Sequence, residues 1–379
     1  MGRGMHGSPM VLPDPPALPP DPDADADADA EAGGEVAGED DDAGALALGD
    51  GHRRGHLSLQ AFDARGRPSI IEHRFVVEAE CEGWRLDRFL MKRIRRLSRA
   101  RVQRVIRGDL DIDGVRVTRP GQSVHTGQQV AFRRPAPSEP DAPRDIRVLL
   151  ADPSFYALEK PAGLPIHPTA RYHYSTLTAV LRERFPDERL EVCHRLDRET
   201  SGIVMVARTR EAGPLLKRAF ARRQVHKRYL AIVHGELDGE RLVDAPLGLA
   251  GAASAVRVKM AVVPVEDGGL PSRTRFVPLE RYRGCTLVEA RPETGRQHQI
   301  RVHAAAIAHP IVGDKLYPDE TRFIEWADHG DSPELLAALT LPRHALHASE
   351  LSFAHPLDGQ PVHVGCPLPA DLRDFLATR

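Results

Sequence analysis

Five short runs rich in β-forming residues, at 147–150, 155–159, 203–207, 229–234 and 286–290, are interspersed with only three helical candidates, at 176–185, 211–223 and 299–308. Strands outnumber helices, and many of the connections suit hairpins. The stretch therefore predicts an α+β domain built round a mixed, mainly antiparallel sheet. It starts near Arg147 and runs almost to the end of the 379 residues.

The chain ahead of it is of two kinds, and charge separates them. The formal net charge is only −2. Yet residues 1–50 hold one basic residue, Arg3, and thirteen acidic ones, a charge of −12, so the remainder carries +10. Fourteen Lys and Arg against four Asp between 84 and 134 account for all of that excess. Positive charge gathered in so short a stretch is the footprint of a polyanion-binding module, or equally of a solvated basic face.

Residues 1–67 are Pro-rich at first, then run DPDADADADA into Gly and acid, and are expected to be a disordered, solubilising tail. Shielding of the basic module by this tail is the lesser alternative. Cysteines 81, 193, 285 and 366 form no CxxC pair, which excludes a disulfide-rich scaffold and a Cys-based zinc site. No apolar run approaches the ~18 residues of a membrane helix, and none follows Arg3 as in a signal peptide. A cytoplasmic chain with no membrane partner is expected.

From Trp84 the pattern turns helical. Leu86, Phe89, Leu90, Ile94 and Leu97 recur at three- and four-residue spacing. Ser98 suits the N-cap of a second helix, with Val102, Val105 and Ile106 inward and Gly108 at its end. Leu110, Ile112, Val115 and Val117 then alternate about Asp113-Gly114, a tight-turn pair. This segment, RLDRFL…LSRARVQRVIRGDLDIDGVRVTRPGQSVHTGQQV, resembles the small RNA-binding module first seen in a small-subunit ribosomal protein, here called S-four-like. The likeness covers about 84–134, within a module bounded at 68–134. It implies RNA-backbone contacts by Arg99, Arg101, Arg104 and Arg107, whose guanidinium forks suit phosphates. The acids around Gly114 depart from the family pattern, so the hairpin is expected to contact RNA weakly. Residues 135–146, Pro-rich and polar, read as a short linker to the domain at 147–379.

Three clusters in the large domain carry chemistry. In CHRLDRETSG (193–202), Asp197 lies between Arg195 and Arg198 just ahead of an apolar run. Flanking cations keep such a carboxylate ionised, ready to act as nucleophile or base. An Asp–Arg network that merely ties the turn is the alternative. Tyr229, in Lys227-Arg228-Tyr229, opens a strand. In TGRQHQIRVH (294–303), Gly295 permits a turn and the residues after it open a helix, a favourable place for anions. A metal site from His298, His303, His344 and His347 is disfavoured, because His298 and His303 are awkwardly spaced for one helical face and no acidic or Cys partner lies nearby.

HRLDRETSG before an apolar strand, KPAGLPIHPT (160–169) ahead of it, then TGRQHQIRVH, HPIVGDKLY (309–317) and RHALHASELSFAHPLDG (343–359) are similar, in order, to the RluA-type RNA pseudouridine synthases. The likeness covers about 147–375, with one small departure at Tyr317-Pro318. It implies the pseudouridine synthase fold and an isomerase acting on structured RNA, ribosomal RNA ahead of transfer RNA. Asp197 is implied as the catalytic residue, Arg301 as its partner and Tyr229 as the ring that stacks on a flipped uridine. Arg195 fills the vacated gap; Arg296 is expected to bind a phosphate near the target, Lys227 to meet the substrate, and Lys160 to meet the RNA backbone or, equally, to belong to a structural loop. Neither metal nor organic cofactor is implied, since there is no net redox change and no water is consumed. A monomer without an obligate protein partner is expected. The alternatives are a non-catalytic RNA-binding or ribosome-assembly factor on the same fold, and a metal-dependent RNA hydrolase.

Overall fold

The computed structural model describes residues 56–62, 68–94, 98–135, 139–169 and 172–379. Most of the acidic tail thus lies outside the described residues, but its assigned end needs correction. His56–Phe62 forms strand β1, paired antiparallel with β2 (Pro68–Val76). HLSLQAF alternates as a strand does, and β2 offers it a free edge.

Helices α1 (Leu86–Arg93) and α2 (Arg99–Arg107) follow, then β3 (Asp109–Ile112), β4 (Val115–Arg116) and β5 (Gln129–Pro135). The strands form one sheet in the order β1-β2-β5-β3-β4. The helical stripe is buried as its spacing predicts: Leu86, Phe89, Leu90, Ile94, Val102 and Ile106 pack with Phe75 and Phe132. Ser98 Oγ accepts a bond from Arg101 N, and Gly108 closes α2. Asp113 and Gly114 both have positive φ, 51° and 79°, as a tight I′ hairpin turn requires. The unexpected acids serve that turn. Asp111 accepts from Gly114 N, and Asp113 from Gln129 N.

The linker is not a free spacer. Pro135 ends β5, and further on the chain lies against the large domain. The buried Glu139 carboxylate accepts bonds from the backbone N–H groups of His173, Tyr174 and Ser175 at 2.8–3.0 Å. Ile146 is buried and its carbonyl accepts from Arg184. A buried carboxylate needs such donors, and proline-rich composition alone does not reveal them.

The large domain opens with β6 (Arg147–Ala151), β7 (Phe155–Lys160), α3 (Leu177–Arg184), β8 (Glu191–Val192) and β9 (Ser201–Ala207). Next come α4 (Ala212–Ala221), β10 (His226–His234), β11 (Arg241–Asp244), β12 (Leu247–Leu249), β13 (Met260–Val262), β14 (Arg273–Tyr282) and β15 (Cys285–Pro292). It closes with α5 (Gln299–Ala306), α6 (Thr321–His329), α7 (Pro333–Leu339), β16 (Leu346–Ala354), β17 (Pro361–Gly365) and α8 (Ala370–Ala377). Ten strands share one sheet, β11-β14-β15-β10-β16-β9-β7-β6, with β17 on β16 and β8 on β9. Every named pair in it is antiparallel except β9 with β16. The domain is α+β with a mixed, mostly antiparallel sheet, as the strand pattern predicts.

β9 is buried at all seven positions, which is why SGIVMVA reads as one apolar run rather than an alternation. At its start Gly202 has φ 112°, and a Cβ there would lie 2.2 Å from Ala348 O, so only glycine lets β16 approach. The loop carrying Asp197 leads directly into this strand, beside β16.

Candidate active site

The turn ahead of β9 brings Asp197 to α5. Arg301 Nη1 donates to Asp197 Oδ2 at 2.9 Å across 104 residues of sequence. The rest of that guanidinium faces Asp314, to which Nε and Nη2 donate at 2.7 and 2.9 Å. Asp314 is buried and also accepts from Leu316 N and Tyr317 N. The Tyr317 ring lies under the guanidinium, 5.1 Å from ring centre to Cζ. A bidentate carboxylate at its edge and a ring under its face fix the fork, with an Nη1 N–H aimed at Asp197.

Electrostatics follow from this packing. Burial alone would push the Asp197 carboxyl up. The charges of His298, Arg301 and His344 outweigh it, with the Arg301 hydrogen bond added, and hold it well below the usual carboxylate range. His298 and His344 are themselves pushed down to about 4, by burial first and then by Arg301. Both rings are charged only in acid, where Asp197 itself would titrate; at neutral pH they are uncharged, so the standing counter-charge on Asp197 is then Arg301. The neighbouring carboxylate of Glu199 is neutralised separately by Arg198 and Lys315, each at 2.9 Å.

Tyr229 enters on β10, packed where two apolar clusters meet. Burial, and next the Asp197 charge, push its hydroxyl well above the usual phenol range. A ring beside the carboxylate that keeps its proton can stack on a base or donate a proton, and is a poor base itself. Arg195 sits half-buried on the Asp197 loop, and Arg296 half-buried on the turn before α5. Lys227 Nζ donates to Thr294 O at 2.9 Å, propping that turn, and its amine is pushed down to about 8 by burial and then by Arg223.

Lys160 requires correction. Its side chain is wholly buried, and Nζ donates to the carbonyls of Pro161, Leu164 and Arg198 at 2.9, 2.8 and 3.0 Å. An ammonium has three protons and all are in use. Lys160 therefore ties two loops together under the site and does not reach substrate. The four candidate metal-binding histidines are engaged elsewhere too. His303 bonds Thr274 and Ala245, His347 bonds Ser201 and Cys366, His344 bonds Thr200, and His298 bonds Tyr317.

Several site residues carry no role in the sequence reading. Asp314 stands in the apolar run PIVGDKLY, and a carboxylate there is a signal of buried pairing. α6 is also unforeseen. It is anchored through Glu320, which accepts bonds from Ser254 Oγ, Ala255 N and Lys259 Nζ. Phe323 and Trp326 on α6, with Asp197, His298 and Arg301, line a cleft. On the α4 side, Phe220 stacks on His194 at 4.3 Å, and Arg218, Arg222 and Arg223 are exposed beside it. In the small module, Arg99, Arg104 and Arg107 are exposed on α2 and Arg101 is half-buried.

Residues 154–306 match the family model described as RNA pseudouridylate synthase. Over 311 residues the chain is 37% identical to a protein of Xanthomonas campestris pv. campestris named ribosomal large subunit pseudouridine synthase D, covering 80% of this chain and 91% of that one. A protein of the same name from Xylella fastidiosa is 38% identical over 304 residues, covering 78% and 88%. That of Pseudomonas aeruginosa is 35% identical over 311 residues, covering 80% and 94%. Among solved structures, human RNA pseudouridylate synthase domain containing 1 is 29% identical with a TM-score of 0.49, over 63% of this chain and 90% of that one.

Proposed function

Because this chain belongs to the RNA pseudouridylate synthases, we propose that it isomerises particular uridines of ribosomal RNA to pseudouridine, with Asp197 as its catalytic carboxylate. The observation that carries this is an ionised aspartate in a cleft, aimed by a buried arginine at 2.9 Å. The ribosomal target is supported by the names of the relatives.

In the reaction the bond from C1′ to N1 breaks, the uracil turns, and a bond from C1′ to C5 forms. One proton leaves C5 and one is gained at N1, so neither water nor an electron acceptor takes part. The uridine must first leave its stack, at a few kcal/mol. A ring such as Tyr229 offsets about 1–3 kcal/mol of that by stacking. On this reading Arg195 occupies the vacated space, Arg296 holds a nearby phosphate, and Lys227 supports Arg296 from behind. Arg301 keeps Asp197 charged and oriented, the state needed whether the carboxylate attacks C1′, attacks the base or removes the C2′ proton. The enzyme works as a cytoplasmic monomer without a cofactor or an obligate protein partner.

Pseudouridine mapping of ribosomal RNA from cells lacking the protein tests this. Specific uridines should lose the modification and regain it with the wild-type gene. An unchanged map in cells that normally express the protein would refute the assignment.

The module is proposed to add backbone affinity through Arg99, Arg101, Arg104 and Arg107. Arg101→Ala with Arg104→Ala should weaken RNA binding and flatten the slope of log affinity against log salt by about two units, one for each phosphate no longer neutralised. An unaltered slope in a binding titration would remove these residues from the interface.

A further inference from the structure

His298 occupies a backbone conformation that is uncommon for any residue but glycine, although histidine is among the side chains that tolerate it best. At the N-cap of α5 it has φ 53° and ψ 13°, in the left-handed region, and its side chain makes no capping bond. Glycine or asparagine is the ordinary occupant of such a position. A strained non-glycine residue at a site suggests that its side chain is needed where the strain puts it.

The ring's contacts say where that is. His298 Nδ1 lies 2.9 Å from the Tyr317 hydroxyl, which accepts a bond from Met260 N at 2.9 Å. Tyr317 is buried, and with the Met260 proton already on its oxygen the only partner described for its own proton is His298 Nδ1. The alternative, with Nδ1 protonated, leaves a buried hydroxyl proton without an acceptor. The ring therefore carries its proton on Nε2. That atom is 4.0 Å from Asp197 Oδ2, the same oxygen that accepts from Arg301 Nη1, and both residues line the cleft.

We propose that His298 is a positioning residue: Tyr317 fixes it as the Nε2–H form, and its N–H closes on Asp197 when RNA is bound, so that Arg301 and His298 together set the angle of the carboxylate. The 4.0 Å separation is longer than a hydrogen bond, and about 1 Å of closure brings it into range. Catalytic bonds are often long in the free enzyme and shorten in the complex. An uncharged N–H also orients the carboxylate without adding a second cation, in keeping with the low basicity of this ring.

The inference rests on Asp197 being the catalytic carboxylate, so the test carries Asp197→Ala beside it. The probe is a large-subunit ribosomal RNA transcript from the source organism, read as single-turnover pseudouridine formation over a range of enzyme concentrations. His298→Asn keeps a residue suited to the left-handed backbone and removes the ring. It should lower the saturating rate by about 10- to 100-fold, with the half-saturating concentration and the melting temperature unchanged. Tyr317→Phe should reduce the same rate in part, because the ring is then free to take either tautomer, and it decides the matter should His298→Asn not fold. A wild-type rate in the folded variants, or an effect confined to half-saturation, overturns the proposal. If Asp197→Ala itself turns over normally, the reading of the site fails and this inference with it. If Asp197→Ala is inactive while His298→Asn is normal, this inference alone fails.

Discussion

Asp197→Asn is expected to reduce pseudouridine formation by at least ~10³-fold, the scale of losing an essential acid–base or nucleophilic group, while RNA affinity stays within about twofold because a carboxylate attracts no phosphate. The fold should survive the change. Arg301 loses one partner but keeps the bidentate pair with Asp314, so no buried cation is stranded. Asparagine preserves the shape of the side chain and one acceptor oxygen for Arg301, so the loss reports mainly the charge. Single-turnover assays with filter binding on the same RNA separate the two effects. Appreciable turnover by this variant would move catalysis away from Asp197. A large fall in affinity would mean that the residue holds RNA.

Arg301→Met carries the second large effect, and it is on stability as well as rate. Arg301 is the cation between two carboxylates, Asp197 and the buried Asp314. Removing one member of a buried ion pair costs about 3–5 kcal/mol, because the charge left behind is neither solvated nor paired. Denaturant unfolding should show stability lowered by that amount. Adding Asp314→Leu should recover much of it, since an apolar pair of similar volume is often as stable as the ions it replaces. The activity should change in a defined direction with pH. Arg301 is among the charges that hold the Asp197 carboxyl below its usual range, so without it that carboxyl titrates at higher pH. The ionised form is the active one. Residual activity should therefore be lost at a higher pH on acidification than in the wild type. An unchanged unfolding midpoint, or an acid limb that stays in place, would contradict the description of Arg301 as a buried bridge.

The sequence is most legible where the governing interactions are local. Helix α3 runs Leu177–Arg184 with Thr176 Oγ1 accepting from Ala179 N, within the stretch that periodicity predicts. Ser98 and Gly108 bracket α2 for the same reason, since caps and apolar spacing act within a few residues. The loop that carries Asp197 is recognisable because HRLDRETSG is continuous in sequence. Misreadings occur where a residue's meaning depends on distant chain. Lys160 reads as a substrate cation or equally as part of a structural loop, and it is the fold that favours the second, since carbonyls from its own loop and from Arg198 enclose it. The segment 135–146 reads as a spacer, yet Glu139 is bound by amides more than thirty residues away. Helix α6 does carry an apolar side, with Phe323 and Ile324 packed on a core cluster, a local signal that the sequence reading passed over.

The chain by itself therefore determined an α+β class and a basic stretch ahead of a larger domain, and its contiguous motifs singled out Asp197 and Arg301, the pair proposed above to form the reactive centre. Each of these is encoded in local periodicity, in charge density or in contiguous motifs. Only the tertiary structure decided that Asp314 clamps Arg301, that His298 Nε2 lies 4.0 Å from Asp197 Oδ2, and that the Lys160 ammonium is enclosed by backbone carbonyls. The reason is the burial of charge. Whether a buried ionisable group orients a neighbour, reacts or holds loops together depends on which donors and acceptors surround it. At this site they come from loops and helices more than a hundred residues apart.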